Sequence, residues 1–225
     1  MPSASTHLLE PLVFKLALLV AVFMPLAVAD WWAKRHQAQR WREYGFLCLC
    51  GTLGAGAAAG VSLVTAHLAP AYFVYGKGAP EGEGLAAFAL AGAVEAGFTA
   101  GAVAAGCLLI ASSSLTRWPR MPIGRLWRSI ATAAMGSLAA GVLSALLPDW
   151  VAHGLSQGMD RLPEPQAGEA ALAFKVHLGS YVGLTVTTAL TCTRVLMLRR
   201  KLSAEALRRV EDNLKRPGDD PKSGE

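Results

Sequence analysis

Five long runs of apolar residues, each almost free of charge, alternate along the chain with shorter polar and basic segments. A helix needs about 20 apolar residues to cross roughly 30 Å of hydrocarbon, and every run is long enough. The runs cover residues 11–32, 44–68, 85–111, 128–148 and 174–198. They lack the alternation of apolar and polar residues that marks a membrane β-strand. The pattern therefore predicts an all-α fold, a polytopic membrane helix bundle with five transmembrane helices.

Two segments next to these runs carry further structural signals. The second run stays uncharged as far as Lys77, so we expect Pro70 to end its helix or to open a re-entrant stretch. Residues 201–225 predict a cytoplasmic amphipathic helix with Ser203 as its N-cap, followed by a disordered tail. We expect residues 199–201, which are all basic, to anchor the last span to anionic headgroups.

The composition agrees with a membrane protein. Of the 225 residues, 53% are hydrophobic and 16% are charged, and the mean hydropathy is +0.37. Soluble domains typically have about 45–50% apolar and about 25% charged residues. This difference excludes a water-soluble enzyme, a disordered chain and a nucleic-acid-binding module, although the isoelectric point of about 9.2 is basic.

The basic residues predict the orientation of the bundle. With five spans and an outer N-terminus, most of the 21 Lys and Arg residues fall on the cytoplasmic side, as the positive-inside rule requires. The exceptions are Lys15, Lys77, Arg161 and Lys175. Cleavage of the first span as a signal peptide after Ala29 would reverse this sorting. We therefore expect a bacterial inner-membrane protein with a periplasmic N-terminus, a cytoplasmic C-terminus and no nucleic-acid partner.

A weak internal repeat has an offset of 86 residues. The offset superimposes the following residues: Trp41 on Trp127, Arg42 on Arg128, His67 on His153, Phe88 on Phe174, Gly97 on Gly183 and Thr99 on Thr185. Two interpretations stay open, chance matches in a chain rich in Ala and Gly, and a duplicated helical hairpin. In a duplication, spans two and three recur as spans four and five in the same orientation, which is a parallel repeat.

Small residues predict where the helices pack. Gly56 and Gly60 form one GxxxG pattern, and Gly97 and Gly101 form another. Because lipid provides no hydrophobic gain for helix contact, helices associate through such closely packing residues. The patterns fit packing within one bundle or a face that binds a second copy.

Glu95 is the acidic residue deepest in a predicted span, close to the middle of the third one. A carboxylate is costly there unless it is protonated or paired, and Thr99 shares its helical face. Glu95 and Thr99 are therefore candidates for binding a proton or an ion in mid-membrane. Alternatively, Glu95 is a neutral acid that bonds to a Thr, Tyr181 or a His and fixes the register of the bundle.

Histidines and cysteines suggest possible cofactor chemistry on opposite sides of the membrane. His67, His153 and His177 fall near the outer boundary, where imidazoles can hold haem b or a metal ion, although histidines that bond only to carbonyls or water are commoner there. The cysteines fall towards the inner side and are either small buried residues or a site for a soft ion such as Cu(I). They are Cys48, Cys50, Cys107 and Cys192.

The sequence leaves three function classes open. The first is a non-enzymatic structural or accessory subunit that packs against other membrane subunits or a second copy. The second is a small proton- or metal-ion-coupled transporter with Glu95 as its titrating group, and the third is a haem b or metal-binding redox anchor. The absence of a Walker loop, an HExxH motif and a recognisable nucleophile and base argues against an enzyme without excluding one.

Overall fold

The protein is a bundle of helices in a computed structural model that describes residues 21–33, 40–113, 118–148 and 162–214. The helices are α1 (Ala21–Ala33), α2 (Arg40–Leu68), α3 (Pro70–Lys77), α4 (Leu85–Ser112), α5 (Ile123–Ser144) and α6 (Gln166–Leu214). A single 3-10 turn, Gly82–Gly84, precedes α4. The described ranges contain no strand, as the hydropathy pattern predicts.

Four of the helices, α2, α4, α5 and α6, are long and apolar enough to cross a membrane. The prediction of a multi-span helical membrane protein is thereby confirmed. The first predicted span, residues 11–32, is described only from Ala21, and the described part is too short for a crossing. The count of five spans and the orientation stay predictions.

Prolines set several helix bounds that hydropathy alone places differently. Pro70 ends α2 at Leu68 and becomes the first residue of α3, as expected from its missing N–H group. α5 was predicted over 128–148 but begins at Ile123, directly after the extended residue Pro122. It ends at Ser144, four residues before Pro148, whose ring disfavours helical geometry at Leu147.

The last helix is much longer than the predicted span. α6 runs without a break from Gln166 to Leu214, whereas the sequence predicted residues 174–198 and a separate helix that begins at Ser203. The prediction of Ser203 as an N-cap is therefore wrong. The basic residues and leucine ahead of Ser203 have high helix propensity, so nothing there ends the helix.

The bundle is assembled from two tightly packed antiparallel pairs, α2 with α4 and α5 with α6. In the first pair, Gly54 lies against Gly97, and the Cys50 carbonyl lies against Gly101. In the second pair, Ala140 lies against Gly183, and Gly136 lies against Thr187. Adding 86 to each residue number in the first set of contacts gives the residue numbers of the second set.

Among the helices that the structure describes, the Gly97–Gly101 pattern lies at a helix contact and the Gly56–Gly60 pattern does not. A methyl group added at Gly97 or Gly101 would overlap the backbone of α2. Gly56 and Gly60 have open space at the same position, and the α2 contact is made by Gly51 and Gly54 instead. Two residues along a helix correspond to a rotation of about 200°, so Gly54 and Gly56 lie on nearly opposite faces.

Arg199 joins α6 to the C-terminal end of α4. Its guanidinium group was expected at the lipid headgroups, but the residue is only 1% exposed. It donates hydrogen bonds to the carbonyl oxygens of Ala111, Ser113, Trp118 and Pro119. The last carbonyls of a helix lack intrahelical donors and carry partial negative charge, so they draw the cation inward.

Lys175 makes a similar connection at the other end of α6. It is buried, and its Nζ donates a hydrogen bond to the Leu147 carbonyl oxygen at 2.6 Å, just past the end of α5. The hydroxyl of Ser144 donates to the Lys175 carbonyl at 2.7 Å. By helical rise, Lys175 and Arg199 are about 36 Å apart, slightly more than the hydrocarbon thickness of about 30 Å.

We predict that Gly54→Ala destabilises the bundle and that Gly56→Ala does not. The methyl group added at position 54 would overlap the Gly97 carbonyl oxygen, and overpacking of this kind costs about 1–3 kcal/mol. Thermal unfolding of monomeric protein in detergent measures the difference. Equal stability of the two variants would contradict the helix contact described above.

Candidate functional site

A cleft of about 920 Å³ lies between α4 and α6, the second helices of the two pairs. It is lined by Gly92, Glu95, Ala96, Thr99, Ala100, Val103, Ala104 and Cys107 from α4, and by Tyr181, Leu184, Thr185, Thr188, Ala189 and Cys192 from α6. Its walls are mostly small apolar residues that carry a few oxygen and sulfur atoms. Glu95 and Thr99, the two candidates for ion binding from the sequence, both line this cleft.

Corresponding positions of the two helices line this cleft together. The 86-residue offset places Glu95 on Tyr181 and Thr99 on Thr185. The Thr99 hydroxyl donates a hydrogen bond to the Glu95 carbonyl at 2.9 Å, and the Thr185 hydroxyl donates to the Tyr181 carbonyl at the same distance. On each wall, therefore, a threonine hydroxyl bonds to the carbonyl one turn back. The Glu95 carboxylate adds an acidic group to the α4 wall.

Thr188 is a cleft residue that the sequence did not single out. Its side chain is 9% exposed, and its hydroxyl oxygen has no hydrogen-bond partner within the described part of the chain. A buried hydroxyl without a partner is unusual because desolvation is then uncompensated. The sequence shows Thr188 only as one of several threonines in its span, most of which bond to the carbonyl one turn back.

The four cysteines do not form one cluster. Cys107 and Cys192 line the cleft, and Cys192 also packs against the apolar cluster that contains Cys50, Phe46 and Leu108. All four are free thiols. The ranges that the structure describes contain no group of three or more His, Cys, Asp or Glu residues placed to hold a metal ion.

The predicted histidine set is only partly described. His67 lies exposed in the last turn of α2, and His153 lies outside the described residues. The His177 Nε2 atom is 3.2 Å from the Thr65 hydroxyl. Its ring stacks on Tyr72 with centroids 5.3 Å apart. The His177 imidazole thus packs in a helix contact, and a haem b or metal site involving these histidines stays a prediction.

An aromatic cluster attaches α3 to α6 beside His177. The Lys77 ammonium lies 5.1 Å from the Tyr72 ring centroid and 5.3 Å from that of Phe73, within the range of cation–π attraction. Burial lowers the pKa of Lys77 from its ordinary value. Burial, with a smaller contribution from Tyr181, raises the pKa of Tyr72 to about 12. The rings of Tyr72 and Phe73 pack against the His177 imidazole and so join α3 to α6, whereas the Lys77 contacts lie within α3.

A second cavity, of about 320 Å³, lies between the two helix pairs. Its walls are mostly alanine and glycine, with Lys77, His177 and three serines among the polar lining residues. It shares Gly92, Ala96, Ala100, Ala104, Tyr181 and Leu184 with the α4–α6 cleft. The carboxylate at mid-helix lines the cleft and not this cavity, so the cleft is the stronger candidate for ion chemistry.

Comparison with known proteins assigns no family to the chain. Neither a protein-family model, nor a curated protein, nor a solved structure matches the chain. The functional proposals therefore follow from the chemistry of the chain itself.

Proposed function

We propose that this multi-pass membrane protein is a small proton- or metal-ion-coupled transporter in which Glu95 binds and releases the coupling ion. The observation that carries the proposal is the position of Glu95 in a cleft walled by threonines and small residues. A carboxylate inside a membrane is costly and marks ion pathways and proton relays in many bundles. The alternative role of Glu95, fixing the register of the helices, predicts no coupled flux.

The pairing of the helices supports a transporter built from two related halves. We propose that α2 with α4 and α5 with α6 are a parallel repeat, since equivalent residues make the contacts of each pair. Transporters often place their ion sites near the membrane midplane at the interface between such repeats. Glu95 and Thr99 face their counterparts Tyr181 and Thr185 across this cleft.

The orientation that we propose has a periplasmic N-terminus and a cytoplasmic C-terminus, in a bacterial inner membrane. The excess of Lys and Arg at the proposed inner end supports it. The buried cations Lys175 and Arg199 lie at opposite ends of the spanning part of α6, and this placement keeps both charges near the membrane surfaces. The long exposed end of α6 would then extend into the cytoplasm.

We predict that Glu95→Gln abolishes coupled transport while the protein still inserts. In liposomes containing the protein, gradients of Na⁺, Mn²⁺ or Zn²⁺ are applied and proton movement is followed with a pH-sensitive dye. The wild-type protein should move protons with at least one of these ions, and the variant should match empty liposomes. Glu205→Gln, which changes an exposed acid far along α6, is the control, and wild-type flux in Glu95→Gln would refute the proposal.

A second candidate function is a structural or accessory subunit that binds another membrane protein or a second copy. It is favoured by Gly56 and Gly60, which form an exposed GxxxG pattern with open space beside it in the described part of the chain. Close helix contact through such a pattern is a common mode of association in lipid. Leu53 and Val64 on the same helix are also exposed.

For this candidate, we predict that Gly56→Leu combined with Gly60→Leu reduces chemical cross-linking to partners in native membranes to background. The bulky side chains would prevent backbones from approaching. Met135→Leu, at an exposed position of α5, is the control and should leave cross-linking unchanged. Equal cross-linking in all three proteins would exclude this face as the interface.

A further inference from the structure

We propose that the cavity between the two helix pairs binds one long-chain fatty acid, with its carboxylate at Lys77 and its tail between the pairs. Glu95 does not line this cavity, so the fatty-acid site is separate from the proposed ion site and does not depend on it. The lining, the length, the opening and the charge of the cavity each favour this ligand.

The walls of the cavity are apolar over most of their length. Alanines and glycines predominate, together with Leu53, Val61, Ile130, Leu138 and Leu184. The volume of about 320 Å³ lies within the range of ligand pockets, about 300–1,000 Å³. Apolar cavities exclude water, and an empty one forfeits the dispersion contacts of its lining. A hydrocarbon chain therefore fits these walls better than water or an ion does.

The length of the cavity matches one acyl chain. On α2 the lining residues run from Cys50 to Ser62, and on α4 they run from Gly92 to Ala104. Each stretch measures about 18 Å by helical rise. Half of the hydrocarbon thickness, which is the depth that one lipid tail fills, is about 15 Å. The cavity is therefore long enough for a single extended tail.

The cavity is open between α2 and α5. Leu53 of α2 and Leu138 of α5 line it with exposed side chains, as do Ala57 and Ala134. The direct contact between these two helices is slight. In a membrane this opening faces the lipid tails, so a chain can enter sideways from the bilayer.

The cavity has a cation at one end. Lys77 and His177 line it, and both contact the Tyr72 ring, whose centroid is 5.1 Å from the Lys77 ammonium. His177 Nε2 is 3.2 Å from the Thr65 hydroxyl, which identifies this end as the Ser62 end of α2. Lys77 is exposed, and the lining residues that the structure describes include no Asp, Glu or Arg. An anionic group at this end would meet a cation and no like charge.

One cation and room for one chain favour a fatty acid over other lipids. The carboxylate of a fatty acid balances the single charge of Lys77 through a charge-assisted hydrogen bond. A phospholipid would leave its second tail outside the cavity. A long-chain alcohol has the same tail without a charge, and a lysophospholipid carries its phosphate one glycerol unit beyond the tail. These two molecules are the alternatives that the experiment separates.

The test is photo-crosslinking of the full-length protein, in phosphatidylcholine nanodiscs, to palmitic acid that carries a diazirine at the end of its tail. Labelling of the wild-type protein should saturate and should map by mass spectrometry to the far end of the cavity, near Cys50 and Trp127. Unlabelled palmitic acid should compete. Hexadecanol should compete about tenfold less well, since it lacks the charge-assisted hydrogen bond, and lysophosphatidylglycerol should also compete less well.

Two sets of variants test the head and the tail of the ligand separately. Lys77→Gln should weaken the apparent affinity about tenfold, which is the effect of losing a hydrogen bond between charged groups, and Lys77→Arg should retain it. Ala134→Phe should block the tail and reduce labelling to background. Ala139→Phe is the matched control, because Ala139 is exposed on the same helix and does not line the cavity, so this variant should label like the wild type.

Three kinds of result would overturn the proposal. Equal labelling of the wild-type protein and Lys77→Gln, or hexadecanol competing as well as palmitic acid, would refute a site for an anion. An equal loss in Ala139→Phe, or label spread without saturation over the outer surfaces of the helices, would refute binding in this cavity. Stronger competition by lysophosphatidylglycerol would replace the fatty acid with a lipid phosphate.

Discussion

Direct backbone contact between helices is the constraint on which the rest of this bundle depends. In lipid, helices gain nothing from hiding apolar surface and associate only where their backbones approach closely. Gly54 with Gly97, and Ala140 with Gly183, provide this approach within the two helix pairs. α4 and α6 make a less extensive contact with each other. A wide cleft lies between them for that reason, and it contains the acidic residue of the spanning region.

Arg199, near one end of the spanning part of α6, holds the two pairs in one frame. Arg199 bonds to carbonyls at the C-terminal end of α4, and Lys175 bonds to the carbonyl just past α5. Arg199 therefore joins the second pair to the first, whereas Lys175 links α6 to α5, its partner within the second pair. Helix C-termini attract cations because their last carbonyls are unpaired. This frame keeps Glu95 and Thr188 on facing helices of one cleft.

Hydropathy predicted the helical bundle and its four long helices because a helix that crosses a membrane requires a long uncharged run. Such a run is visible in the sequence. It misplaced the ends of α5, where prolines decide, and divided α6, where nothing breaks the helix. The Glu95–Thr99 pair was predictable because a mid-span carboxylate is rare. Thr188 and Arg199 were not, since an unsatisfied hydroxyl and a guanidinium bonded to distant carbonyls depend on contacts between helices. Their neighbours along the chain contain no signal for them.

The central claim is that Glu95 itself binds the ion, and infrared difference spectroscopy of the reconstituted protein tests it most directly. Adding the coupling ion, tried in turn as Na⁺, Mn²⁺ and Zn²⁺, should change the carboxyl or carboxylate stretching bands of the wild-type protein. The same addition to Glu95→Gln should produce no such change. Identical difference bands in both proteins, or none in the wild type, would contradict a role for Glu95 as the ligand.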